Sequence, residues 1–165
     1  MKKEYILIGG CLAAVFIFSS LSANGGSLDL SVFDDTKGSD DVERLNKVYR
    51  ELLRRGLTDD QILFCLSQIL VETGLFTDNP NYVAVDQRLN YAGITRNGQY
   101  EWYNSISDFV DDYLSVISKK NDPLSANDIV DFNNRLKANG YYTDSKTTYG
   151  NNLSYYYNYL QNAIK

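Results

Sequence analysis

Chemistry in this sequence must be done without histidine. The 165 residues contain none. That removes serine and cysteine nucleophiles activated by imidazole, and most zinc sites. Proton transfer near neutral pH then falls to Asp, Glu, Lys, Tyr or Cys. The carboxyl of Glu72 is the first candidate. It follows Ile69, Leu70 and Val71 at the end of an apolar run, and Thr73-Gly74 closes that run. Apolar surroundings and the partial negative charge of a helix C-terminus both disfavour a carboxylate there. A carboxylic acid kept protonated near neutral pH can donate its proton to a glycosidic oxygen.

The elements that must hold Glu72 are helical. The pattern of Val42, Leu45, Val48, Tyr49, Leu52 and Leu53 predicts a first helix beginning near Asp40, with Glu43 as its capping partner and Gly56 as its stop. Thr58 with Gln61 predicts a capping box for a second helix over residues 59 to about 72. That helix is apolar on nearly every face, so it belongs at the centre of the domain. Residues 73–104 read as irregular, with a turn at Asp78-Asn79-Pro80-Asn81. Asn97-Gly98 predicts a tight hairpin between residues 94 and 100. Ser105 with Asp108 opens a third helix that runs past Ile117. Ser125 with Asp128 caps a fourth, which ends at Gly140. The last helix covers about 147–164.

Residues 5–23 are apolar and uncharged, preceded by Lys2 and Lys3. Nineteen residues nearly match a bilayer's hydrocarbon core of about 30 Å. The positive-inside rule places the N-terminus in the cytoplasm and the rest of the chain outside it. Residues 1–23 are therefore expected to be a transmembrane anchor or uncleaved signal. A cleaved signal ending near Ser20-Leu21-Ser22 is an alternative, and a lipoprotein site at Cys11 a weaker one. Residues 24–39 read as a Gly-, Ser- and Asp-rich linker reaching at most about 50 Å. Cys11 and Cys65 are poorly placed to pair. The net charge of −5 lacks the basic footprint of a nucleic-acid binder.

Four stretches in order carry a family resemblance. They are Gln68-Ile-Leu-Val-Glu72-Thr-Gly74, Leu89-Asn90-Tyr91-Ala92-Gly93-Ile94, Tyr100-Glu-Trp-Tyr103-Asn-Ser105 and Gly140-Tyr141-Tyr142-Thr143-Asp144. Together they resemble the glucosaminidase-type peptidoglycan hydrolases, the group of autolysins and flagellar-rod wall hydrolases. The resemblance implies a mainly α, lysozyme-like domain over residues 40–165 with one short β-hairpin. It implies cleavage of β-1,4 bonds at N-acetylglucosamine or N-acetylmuramic acid in peptidoglycan glycan strands, with no cofactor and no metal. Glu72 would be the general acid and Tyr141 would lie near the reacting sugar. Asn90, Tyr91, Gly93, Tyr100, Trp102 and Tyr103 would bind substrate. The family's longer β-lobe with its second carboxylate is reduced here, and Glu101 is the nearest candidate for that role. Hydrolysis and lytic transglycosylation both stay open. So does a non-catalytic wall-binding or structural membrane protein that keeps the fold. A third reading is a helical module that binds a protein through Tyr155, Tyr156, Tyr157 and Tyr159. A wall-cutting domain anchored by residues 5–23 would work on the periplasmic or wall side, in a bacterium or on a virion membrane.

Overall fold

The computed structural model describes residues 3–6, 15–18, 39–74 and 87–164. Five helices make up most of it: α1 (Ser39–Arg54), α2 (Asp59–Thr73), α3 (Ile106–Ile117), α4 (Ile129–Ala138) and α5 (Lys146–Ile164). The architecture is mainly α, as the periodicity predicts. Strands β1 (Lys3–Ile6) and β2 (Val15–Phe18) pair antiparallel near the N-terminus. Strands β3 (Thr95–Arg96) and β4 (Gln99–Tyr100) form a second hairpin.

The second helix is the centre of the fold, and its ends follow the capping code. Thr58 Oγ1 accepts from the Gln61 amide at 3.4 Å, and the Thr58 amide donates to Gln61 Oε1 at 2.9 Å. Gly74 ends the helix with φ 57°, and its N–H donates to the Leu70 carbonyl. A left-handed residue suits this position because it turns the chain away while satisfying a terminal carbonyl. Between these caps Ile62, Leu63, Phe64, Cys65, Leu66, Ile69 and Leu70 are all buried. The buried Ser67 hydroxyl donates back to the Leu63 carbonyl, and that of Thr73 to the Ile69 carbonyl.

Every other helix packs on or near α2. Helix α1 contributes Leu45, Val48, Tyr49 and Leu52 to the shared core. Phe64 of α2 stacks on Phe132 of α4, with ring centroids 5.2 Å apart, and meets Tyr157 of α5 at 5.6 Å. Helices α4 and α5 cross closely at Gly150, where an added Cβ would lie 2.5 Å from Asn133 Nδ2. Phe109 of α3 is a second aromatic hub, contacting Tyr91, Tyr103 and Tyr113. The Cys65 thiol is free and fully buried beside Tyr113, and burial pushes its pKa up to about 12. The ordinary reading of a buried cysteine as packing applies.

Of the apolar run 5–23, residues 5–6 and 15–18 are described, and they lie in strands. Among the described residues no helix is long and apolar enough to cross a membrane. Cys11, the candidate cleavage site, residues 24–38 of the linker and the turn at residues 78–81 lie outside the described residues. Ser125 does not cap α4. It ends a 3₁₀ turn over Pro123–Ser125, and Asp128 is the cap, accepting from the Asp131 amide at 2.7 Å. Finally, the tyrosines of α5 are mostly docked. Tyr156, Tyr157 and Tyr159 pack against the core, and only Tyr155 is strongly exposed.

The Phe64 ring links three helices, so its removal should be costly. Phe64→Ala is expected to lower unfolding free energy by about 3–5 kcal/mol, read from urea denaturation of the full chain.

Candidate active site

The last turn of α2 brings Glu72 to the wall of a cleft of about 830 Å³. Three segments remote in sequence complete that wall. The first is the loop from Ala92 to Arg96. The second is the end of α3 with the residues after it, Val116, Lys119 and Lys120. The third runs from Asn139 to Asp144, with Tyr149 beyond it on α5.

Among the described residues, the carboxyl is held through one oxygen, Oε1. Tyr149 Oη donates to Glu72 Oε1 at 2.7 Å. Gln68, one helical turn earlier, also donates to Oε1 through Nε2 at 3.3 Å. The same Nε2 donates to Tyr141 Oη at 2.9 Å, and Tyr141 in turn donates to the Ala92 carbonyl at 2.7 Å. Tyr149 is clamped from below by a parallel stack on Tyr142, with centroids 3.7 Å apart, and Tyr142 donates to Asn133 Oδ1. Oε1 thus accepts two hydrogen bonds, and Oε2 is the oxygen beside Gly93.

Gly93 is required by that approach. Its φ is +61°, and a Cβ built on it would stand 3.3 Å from Glu72 Oε2. A side chain there would be strained by the backbone and would press on the acid. The loop is shaped by Asn90. Its Oδ1 accepts from the Ile94 amide at 2.9 Å, and its Nδ2 donates to the carbonyls of Ile94 at 2.8 Å and Glu101 at 3.1 Å. Asn97 and Gly98 both have positive φ, which makes the tight β3–β4 turn.

Burial raises the pKa of Glu72, because the charged form loses its water. The hydrogen bonds from Tyr149 and Gln68 oppose that rise without cancelling it. Burial likewise drives Tyr141 and Tyr149 well above their ordinary value, and the nearby Glu72 carboxyl adds to this. Both phenols therefore stay protonated as donors. Elsewhere on the rim, burial pushes Asp112 up, but hydrogen bonds from Arg96 and Tyr103 outweigh it and hold Asp112 low. Among the described residues no group of three His, Cys, Asp or Glu side chains is placed to hold a metal ion.

Of the residues singled out from sequence, the structure brings Glu72, Tyr141 and Gly93 together at the cleft. The others lie elsewhere. Asn90 and Tyr91 are buried, at 2% and 1% exposure. Asn90 is used up in shaping the loop, and Tyr91 packs edge-on against Phe109. Tyr103 is half-buried and donates to Asp112 Oδ2 at 2.6 Å. Tyr100 and Trp102 are exposed outside the cleft and sandwich the Arg88 guanidinium, at 5.3 and 5.1 Å. Glu101 is not part of the cleft wall. It faces Arg96 at 3.4 Å, and Arg96 also binds Asp112. Asp78 and Asp86, the carboxylates that precede the Leu89–Ile94 stretch in sequence, lie outside the described residues.

Sequence reasoning missed Gln68 and Tyr149. Gln68 had a signal, being a polar side chain four residues before Glu72 on an otherwise apolar helix. Tyr149 had none, because it reaches the acid only through the packing of α5 on α2. Compared with known proteins, the chain matches no family model, no curated protein and no solved structure.

A stability test isolates the raised pKa. The folded value of Glu72 lies above the unfolded value near 4.5. The native state therefore binds the proton more tightly, and wild-type stability falls as pH rises through that interval. Glu72→Gln has no such dependence. Its melting temperature should match wild type at pH 4 and exceed it increasingly above about pH 4.5. Each unit of elevation corresponds to about 1.4 kcal/mol. A difference independent of pH would contradict the assignment.

Proposed function

We propose that this protein cleaves the glycan strands of peptidoglycan, with Glu72 as the acid that protonates the departing glycosidic oxygen. The observation that carries the reading is the state of that one carboxyl. It is partly buried, holds its proton to higher pH than an exposed carboxyl, and is gripped through Oε1, while its residue lines a cleft large enough for sugar rings. General acid catalysis needs that combination of pKa and position. The ordered resemblance to glucosaminidase-type hydrolases, and the lysozyme-like fold it implies, point the same way.

The reaction follows from the residues present. A sugar bound in the cleft offers its bridging oxygen to Glu72 Oε2. The proton passes to that oxygen as the bond to the anomeric carbon breaks and an oxocarbenium-like centre develops. Tyr149 and Gln68 then stabilise the carboxylate that remains, since both donate to Oε1. With Glu101 engaged by Arg96, the carboxylates among the described residues of the cleft wall are the partly buried Glu72 and the exposed Asp144. This favours a single-acid route. In that route the anomeric carbon is captured by the substrate's own hydroxyl, as in lytic transglycosylation, or by its N-acetyl group before water enters. The returning Glu72 carboxylate takes up the released proton. The apolar run 5–23 behind Lys2 and Lys3 supports export or membrane attachment, with the domain acting on the wall side.

Incubation of the protein with purified peptidoglycan, with products read by mass spectrometry, tests this reading. Anhydro-ended fragments are the expected product; reducing ends would indicate hydrolysis. Glu72→Gln should lower the rate by about 10²–10⁴-fold with the circular dichroism spectrum unchanged. Wild-type turnover in that variant would move the acid elsewhere. The wild-type rate should fall as pH rises through the elevated pKa of Glu72, because only the protonated form donates.

A further inference from the structure

We propose that the turn after α3 forms a subsite for carboxylate-bearing substituents of the glycan, with Lys119 and Lys120 as its cations. The proposal rests on the glycan-cleaving reading and names the substrate feature that the cleft selects. The chain as a whole is acidic, at −5. Yet Lys119 and Lys120 stand side by side on the wall of the cleft that holds Glu72. Both are exposed. Among the described residues neither ammonium is paired with a carboxylate, although Asp112 feels the charge of Lys119 and Asp144 lies on the opposite part of the wall.

The turn that carries them is built rather than slack. Asn121 and Asp122 follow with φ of 46° and 35°, two consecutive left-handed residues that are not glycine. Such a conformation persists only where the surroundings enforce it. Here α4 does so. Arg135 Nη1 donates to the carbonyls of Asn121 at 2.9 Å and Asp122 at 3.2 Å. Asn139 Nδ2 donates to the Lys120 carbonyl at 2.7 Å, and Asn121 Nδ2 donates to Asn139 Oδ1 at 2.9 Å. Arg135 is itself steadied by Asp131 at 3.0 Å. Cations just past a helix C-terminus complement its dipole, but that benefit needs neither the cleft nor a fixed turn.

The matching ligand chemistry is a carboxylate held to one side of a sugar chain. In wall glycan every second sugar bears a lactyl group extended by a peptide with free carboxylates. A neutral polymer of N-acetylglucosamine has none. Two exposed lysines facing such groups give a modest, salt-sensitive preference.

The test uses Glu72→Gln protein, so that binding is read without cleavage. Two ligands are compared: purified peptidoglycan glycan strands, and the same strands with their carboxylates amidated. The Glu72→Gln protein should bind the native strands roughly three- to tenfold more tightly, with the ratio shrinking at high salt. Adding Lys119→Ala and Lys120→Ala should bring the ratio to about one while the melting temperature stays that of Glu72→Gln. Equal binding to both ligands, or a preference that survives loss of the lysines, overturns the subsite. Failure of the unaltered protein to cleave, with the preference intact, overturns the catalytic reading instead.

Discussion

A carboxyl group at the end of a buried helix is caught between two opposing demands. Taking Glu72 out of water favours its neutral form, while hydrogen bonds from Tyr149 and Gln68 favour its charged form. Desolvation wins, so the carboxyl keeps its proton to a higher pH than an exposed glutamate does. Much of the local structure serves that balance. The capping box and Gly74 set where α2 begins and ends, so that Glu72 falls on its last turn. The stack of Tyr142 on Tyr149 fixes the donor from α5. Tyr141 ties the Ala92 carbonyl to Gln68, so the loop carrying Gly93 is braced against the same helix.

The bracing runs through Tyr141. Its hydroxyl is already committed to a backbone carbonyl, and its pKa is driven far from neutrality. Its role is to position the loop and, through Gln68, the acid. With two-residue strands, the β3–β4 hairpin offers no carboxylate to the cleft: Arg96 draws Glu101 and Asp112 together beside it.

Local signals were legible in the sequence, and long-range ones were not. Thr58 with Gln61, Ser105 before α3, and Asn97-Gly98 in the hairpin each encode geometry through a few neighbouring atoms, and all three hold. The all-round apolar character of α2 correctly placed it at the centre. Ser125 misled because Asp128, three residues on, is itself a good cap. The loop after Leu89 misled in another way. Its linear motif says which residues are near the acid but not which way they face. Asn90 and Tyr91 turn into the protein, while Tyr100 and Trp102 turn out toward Arg88. The cleft wall beyond Gly93 comes from the end of α3 and the turn after it, from the segment 139–144 after α4, and from Tyr149 of α5, through packing that no short spacing encodes. The apolar run 5–23 has composition enough for a spanning helix. Its described parts nonetheless pair as strands, which the many β-branched and aromatic residues there also permit.

The central claim is a statement about one proton, so it is best tested on that proton. Carbon-13 label in the glutamate side chains allows the Glu72 carboxyl resonance, assigned by its loss in Glu72→Gln, to be followed by NMR as pH is raised. The account predicts a midpoint clearly above the ordinary carboxyl value, moving higher still in Tyr149→Phe, where a donor to the charged form is removed. A midpoint at or below 4.5 would show a carboxylate at neutral pH and contradict the acid on which the account stands.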